Sequence, residues 1–232
     1  MPKNADPVRV KGCKSLGAKV VLADDIHAAF ATMDRIKEHE GRVAIHPFEG
    51  ELMTLGAATC GLEFIKEVPN LDAVVVPVGG GGLISGISSA IKQASPSCKV
   101  YGVEPSGADG LRRSLDAGRP VSLEKVSTIA DSLGSPVSLP YSFSVAQAGV
   151  DEVVRIDDEE MLMSMVLLYD ALKLAAEPAC AAATAAICGP LHHRLKGLRV
   201  GLVACGSNIS EQRMVELVTQ GRSILQRTKK IQ

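Results

Sequence analysis

The sequence predicts an α/β fold, a mostly parallel, doubly wound sheet with helices on both faces. Two observations predict it. Short apolar runs rich in β-branched residues alternate with longer segments of helical period along the whole chain. One of these runs, Leu71–Val78, passes straight into Gly79-Gly80-Gly81-Gly82 and then into an apolar segment of helical period, the strand–loop–helix unit of parallel sheets. Such sheets bind ligands beyond the carboxyl ends of their strands, and three runs end there in small, polar or glycine-rich residues, after Val78, Val103 and Ala204.

Taken in order, Val8–Leu16 reads as a helix stopped by Gly17, and Ala18–Ala23 as a strand. Asp25–Glu40 carries Ile26, Ala29, Phe30, Met33 and Ile36 on one helical face. Arg42–Ile45 reads as a short strand before His46-Pro47-Phe48, and Glu51–Val68 as a helix. The glycine unit follows, with its helix starting at Leu83. Lys99–Val103 reads as the next strand. Residues 105–142 are rich in Gly, Pro and Ser and show little periodicity, which marks a functional or contact segment. Glu152–Arg155 is a short strand. Asp157 with Glu160 resembles a capping box that opens a helix bearing Met161, Met165, Leu168 and Leu172. Ala179–Ile187 forms a helix of very small side chains behind Glu177-Pro178. Leu198–Ala204 is the last strand, and Ser210–Gln226 the last helix.

Composition narrows the function. The 232 residues carry a net charge of −1 and 3% aromatic residues with no Trp, which argues against nucleic-acid binding and base-stacking surfaces. No apolar stretch is long enough to span a membrane, and the first residues lack a signal-peptide core. The six cysteines fit no zinc spacing and read as free thiols of a reducing compartment, so a cytoplasmic location is expected. The expected partner is a small molecule.

The glycine run is the strongest local signal. A strand, a glycine turn and a helix start aim free backbone N–H groups and a helix dipole at one point, a natural phosphate site. The dinucleotide pattern fails, because Ile84 and Ser85 occupy the last glycine position in the two possible frames. The nucleotide-triphosphate pattern fails because Ile87 replaces the lysine. The bland alternative is a turn that only permits tight packing. Cys205-Gly206-Ser207-Asn208 also follows a strand. Cys205 is either a buried structural thiol or a weak hydrogen-bond partner for a heterocycle nitrogen. Glu177 opens a close-packing helix, and Glu104 at a strand end is either a solvated acid or a ligand group.

VVVPVGGGGLISGI, YGVEPSGAD, STIADSLGSP, EPACAAATAA and VACGSNIS, in this order, resemble the serine/threonine dehydratase family of fold type II enzymes (the tryptophan synthase β-like fold), which depend on pyridoxal phosphate and include serine racemase. The resemblance runs over essentially the whole chain. It implies that Gly79, Gly80, Gly81, Gly82 and Leu83 cradle the cofactor phosphate, that Cys205 lies opposite the pyridine nitrogen, and that Asn208 belongs to the turn that positions it. It implies loss of the β-hydroxyl from serine or threonine, giving a 2-oxo acid and ammonia. A homodimer is expected with it.

Three departures accompany the resemblance. The family's Ser-x-Lys-x-Arg-Gly segment, which supplies the Schiff-base lysine, and its Ser-Gly-Asn-His loop have no counterpart here. Met-Pro near the start resembles a stretch that in relatives follows both, so residues 1–48 are expected to be the remainder of a small domain and 49–232 the large cofactor domain, with the chain alone inactive. The family's divalent-cation position is matched by Glu104 and Ala108, but Gly110 stands at the third position and Asp109 one residue early. Gly56-Ala57-Ala58-Thr59 replaces a Gly-Gln-Gly-Thr pattern. A racemase, a dehydratase for a modified hydroxy amino acid, and a non-catalytic fragment or accessory subunit are the competing readings.

Overall fold

The computed structural model describes residues 1–229. Its centre is a four-stranded sheet of β1 (Ala73–Pro77), β2 (Lys99–Pro105), β3 (Glu152–Ile156) and β4 (Val200–Leu202), in the order β3-β2-β1-β4. Every adjacent pair is parallel. The doubly wound expectation holds, because alternate residues of β1 feed opposite layers. Val74, Val76 and Val78 pack with Ile84, Ile87 and Ile91 of α4 (Gly82–Ala94), Leu111 of α5 (Gly110–Ala117) and Phe143 and Ala146 of α6 (Pro140–Gly149). Ala73 and Val75 pack on the other face with Met161 of α7 (Asp158–Leu172) and the alanines of α8 (Pro178–Cys188). Each buried Ile of α4 contributes roughly 1.5–3 kcal/mol. The small side chains of α8 let that helix lie close on the sheet, as its composition foretold. A short α9 (His192–Leu195) leads to β4, and α10 (Glu211–Lys229) packs on α7 through Leu217 and Ile224.

The capping box that opens α7 is present. Asp157 accepts from the Glu160 N–H at 2.8 Å, and Glu160 accepts from the Asp157 N–H at 2.7 Å. Ahead of the sheet lie α1 (Pro7–Ser15), α2 (Ile26–Glu40) and α3 (Glu51–Glu67). α1 is capped by Asp6, α2 by Asp25, and α2 ends at Gly41 in the left-handed region.

The structure corrects several expectations. Residues 18–23 and 42–45 are not strands; the first stretch makes long-range backbone bonds only to residues 1–3, through one parallel bridge between Pro2 and Ala23 and a bond from the Met1 amino group to the Val21 carbonyl, and the second forms no bridge among the described residues. Their β-branched pattern suits a strand, but a strand is made by a neighbour's ladder, and no strand of the described residues lies beside them. Val43 and Ile45 are accordingly 90% and 86% exposed. Residues 105–142 are more ordered than their composition indicates, since they hold α5, a 3-10 turn at Asp131–Leu133 and the start of α6. The glycine helix begins at Gly82 rather than Leu83.

Candidate functional site

β1 runs into Gly79–Gly82, where Gly80, Gly81 and Gly82 leave no place for a side chain. Gly81 has φ +93°, a left-handed conformation that side chains resist. A Cβ on Gly80 would fall 2.2 Å from the Phe48 ring, and one on Gly82 would fall 2.5 Å from the Phe48 carbonyl oxygen. The loop is therefore bare backbone pressed against Phe48. No side chain caps α4 at its N-terminus, so the first N–H groups of the helix have no partner of their own.

This loop forms one wall of a cavity of about 270 Å³. Pro47 and Phe48 cover it, Leu83 belongs to the loop wall, and Ser132, Leu133, Glu177, Cys205 and Gly206 complete it. The cavity thus sits at the carboxyl ends of β1 and β4, which are neighbours in the sheet. Of the three strand ends expected to converge, these two do. The end of β2 does not: Glu104 is fully buried elsewhere, because β2 is flanked by β3 on its other side and its chain turns under α5.

Glu104 is engaged as a helix cap. Its Oε1 accepts from the Leu111 N–H and its Oε2 from the Arg112 N–H, both at 2.8 Å. Burial, more than any other cause, pushes its carboxyl up to about 8. Asp109, also buried, is held by Arg113 Nε at 2.7 Å and Arg155 Nη1 at 3.3 Å. The Ala108 N–H donates to the Pro105 carbonyl at 2.8 Å. The acids proposed beside a cation are thus already paired with protein donors, and no cluster of three or more His, Cys, Asp or Glu suited to a metal occurs among the described residues.

Cys205 lines the cavity at an exposed position rather than as a buried thiol. Partial desolvation chiefly raises the pKa of its thiol above the ordinary value, with Cys60 and Glu177 adding to the rise. Cys180, behind it on α8, is pushed up to about 11, mainly by burial. Asn208 is not in the cavity wall. It is exposed beyond that wall, where its N–H donates to Glu177 Oε2 at 3.1 Å and its carbonyl accepts from Arg9 Nε at 3.3 Å.

Sequence reasoning undervalued Glu177 and missed Phe48 and Ser132 as site residues. Glu177 Oε1 accepts from Ser132 Oγ at 2.7 Å. The Glu177 N–H donates to the Gly206 carbonyl at 3.2 Å. Phe48 makes edge contacts with His46 and Phe30, ring centroids 4.5 and 6.2 Å apart. Ser132 and Glu177 lie within the STIADSLGSP and EPACAAATAA segments that carry the resemblance, whereas Phe48 had only its place after a His-Pro pair. The cavity thus joins an anion-binding helix start, a neutral thiol and an aromatic cover, a set suited to a flat heterocycle bearing a phosphate. No lysine is among its lining residues.

Comparison with known proteins agrees with this geometry. A family model described as "Pyridoxal-phosphate dependent enzyme" matches residues 1–206. A phenylserine dehydratase of Ralstonia pickettii is 49% identical over 208 residues, which is 90% of this chain and 64% of that protein. An L-threonine ammonia-lyase of Thermotoga maritima is 35% identical over 95% of this chain and 55% of its own length. The structure of maize serine racemase superposes with a TM-score of 0.85 at 30% identity, covering 97% of this chain and 70% of that one. The chain spans 64% and 55% of the two curated relatives.

Proposed function

Because this chain belongs to the pyridoxal-phosphate dependent enzyme family, we propose that it forms the phosphate-binding part of an active site that dehydrates a β-hydroxy-α-amino acid to a 2-oxo acid and ammonia. One observation carries this reading: the bare glycine loop and uncapped start of α4 face the same cavity as the Cys205 thiol.

The residues present fit the cofactor. The N–H groups of Gly79–Gly82 and Leu83 would hold its phosphate, with the positive end of α4 behind them. Cys205 would face the ring nitrogen as a neutral thiol, because its surroundings raise its pKa above the ordinary thiol value. Pro47 and Phe48 exclude water from the loop. When bound, the cofactor supplies an electron sink for cleavage at the α-carbon of an amino acid. The lining groups that can hold a proton are Ser132, Glu177 and Cys205.

An aryl side chain on the β-carbon is the favoured substrate feature. The 49% identity to a phenylserine dehydratase supports it, and so does Phe48, whose edge-to-face cluster with His46 offers a further ring a partner. Likeness to serine racemase favours racemisation as the second reading.

The test is to supply the chain with pyridoxal phosphate and serine, threonine or phenylserine, and to measure 2-oxo acid, ammonia and the enantiomer ratio. The expected result is reversible cofactor binding, tightened by phenylserine more than by serine, without turnover, because the cavity holds no lysine. Sustained 2-oxo acid production would overturn the expectation for this chain. Tightening by serine but not phenylserine would overturn the aryl preference.

A further inference from the structure

Arg9 lies on α1, in the first 48 residues, yet its guanidinium reaches three separate segments around the cavity. Nη1 lies 2.9 Å from Asp131 Oδ2. Nη2 donates to Asp131 Oδ1 at 3.2 Å, to Ser132 Oγ at 2.9 Å and to Glu177 Oε2 at 3.4 Å. Nε donates to the Asn208 carbonyl at 3.3 Å. These partners sit on the 3-10 turn, at the start of α8 and in the turn after β4. Ser132 and Glu177 are themselves cavity residues.

The arrangement is closed as well as crowded. Ser132 Oγ accepts from Arg9 and donates to Glu177 Oε1. Glu177 Oε2 accepts from both Arg9 and the Asn208 N–H. The Glu177 N–H holds the Gly206 carbonyl, and a Cβ on Gly206 would strike the Glu177 carboxylate at 2.8 Å. The Glu177 side chain is 6% exposed and that of Arg9 20%. A carboxylate this enclosed needs its cation, since removing one member of a buried pair leaves an uncompensated charge. A second tie runs beside it: Asp6 caps α1 through the Val8 N–H at 2.9 Å and accepts from the Ser210 N–H and Oγ at 3.2 and 3.1 Å.

We propose that Arg9 is a positioning residue, a single forked cation that makes docking of the N-terminal segment and the setting of the Ser132–Glu177–Cys205 wall one event. Arginine suits the task where lysine does not, because its fixed fork serves several acceptors at once. Glu177 is the lever: held by Arg9, it fixes the Gly206 turn, and the Gly206 turn fixes Cys205. The segment that carries no cofactor contact of its own beyond Pro47 and Phe48 thereby sets the far wall of the cavity.

The thiol of Cys205 reports on this without turnover. The groups that face it are Cys60 of α3, Cys180 of α8 and the Glu177 carboxylate. The experiment measures, for the full chain, the pH midpoint of Cys205 alkylation by iodoacetamide, resolved by peptide mapping with Cys188, which is likewise exposed but lies outside the cavity, as internal control, together with the Kd for pyridoxal phosphate. R9M leaves Glu177 uncompensated and is expected to move the Cys205 midpoint up. E177Q removes the negative charge and is expected to move it down. R9K keeps the charge but loses the fork, so its midpoint stays near wild type while its Kd rises several-fold, and R9M raises Kd about tenfold or more. A general loosening of the fold cannot give opposite midpoint shifts in the two partners of one pair. Shifts of the same sign in R9M and E177Q, or no shift in either, overturn the proposal. If circular dichroism shows R9M unfolded, E177Q and R9K carry the test: an unmoved E177Q midpoint or an unchanged R9K Kd overturns it. The binding arm rests on the cofactor reading above. A wild-type chain that binds no pyridoxal phosphate sinks that reading, and the thiol midpoints still decide the clamp.

Discussion

The Phe48 ring lies so close to Gly80 that the smallest side chain there would stand 2.2 Å from it. Gly80→Ala must therefore displace Phe48 from the cavity or distort the loop. Overpacking of this kind costs about 1–3 kcal/mol. The expected outcome is a lower midpoint in urea unfolding. Affinity for pyridoxal phosphate should fall at least tenfold, measured by equilibrium dialysis. Phe48→Ala with Gly80→Ala should recover part of the affinity, because the double variant removes the clash.

Glu104 gives the fold a pH dependence whose sign is fixed. Its folded pKa, about 8, lies above the ordinary carboxyl value of 4.5. Between those two values the folded chain holds a proton that the unfolded chain has lost, so stability falls as pH rises through that window and levels off above about 8. The loss is on the order of a few kcal/mol. Urea unfolding at pH 5 and pH 8.5 is expected to show a smaller decrease for Glu104→Gln than for wild type. An equal decrease would place the pH dependence elsewhere.

Glu49 caps a helix from far along the chain. Its carboxylate accepts from the Tyr141 N–H at 2.8 Å and the Ser142 N–H at 3.1 Å, and also from Ser142 Oγ. Glu49→Ala is expected to cost about 0.5–2 kcal/mol, as loss of a helix N-cap does. Faster hydrogen exchange in residues 140–149 would confirm that the loss is local to α6.

The capping box of α7 makes the complementary case. Asp157→Ala removes the acceptor of the Glu160 N–H and is expected to cost about 1 kcal/mol. Thermal unfolding should register it as a lower Tm, whereas Asp157→Ser, which keeps a capping oxygen, should stay near wild type.

These two helices show what was legible in the sequence. The Asp157–Glu160 box spans four residues, so a local reading finds it. The glycine unit is likewise local: a Val-rich strand, a turn and a helix in one stretch. α5 and α6 were missed because their caps are not local. Asp109 stands at the N-cap of α5 but makes no cap bond, being held by two arginines; Glu104 supplies the cap instead. Leu139 at the N-cap of α6 has no side chain to offer, and Glu49 substitutes for it. Pro140 at the first position of α6 was a readable signal. In the site, Gly79–Gly82 followed from a strand end, whereas Leu83 and the role of Cys205 came only with the family resemblance. Arg9 came from neither, because its partner Glu177 lies 168 positions away and no short motif records such a contact. The failed strands at 18–23 and 42–45 make the converse point: their residues favour a strand, but pairing decides.

If the glycine loop and the start of α4 hold the phosphate of pyridoxal phosphate, removing that phosphate must weaken binding sharply. The most direct measurement compares pyridoxal phosphate with pyridoxal, which lacks only that phosphate, by equilibrium dialysis against the full chain, with the phosphorus resonance of the bound ligand recorded in parallel. The expected result is one saturable site for pyridoxal phosphate, a shifted phosphorus resonance lost in Gly80→Ala, and pyridoxal bound at least a hundredfold more weakly. Equal affinity for the two ligands, or a phosphorus resonance unmoved on binding, would contradict it.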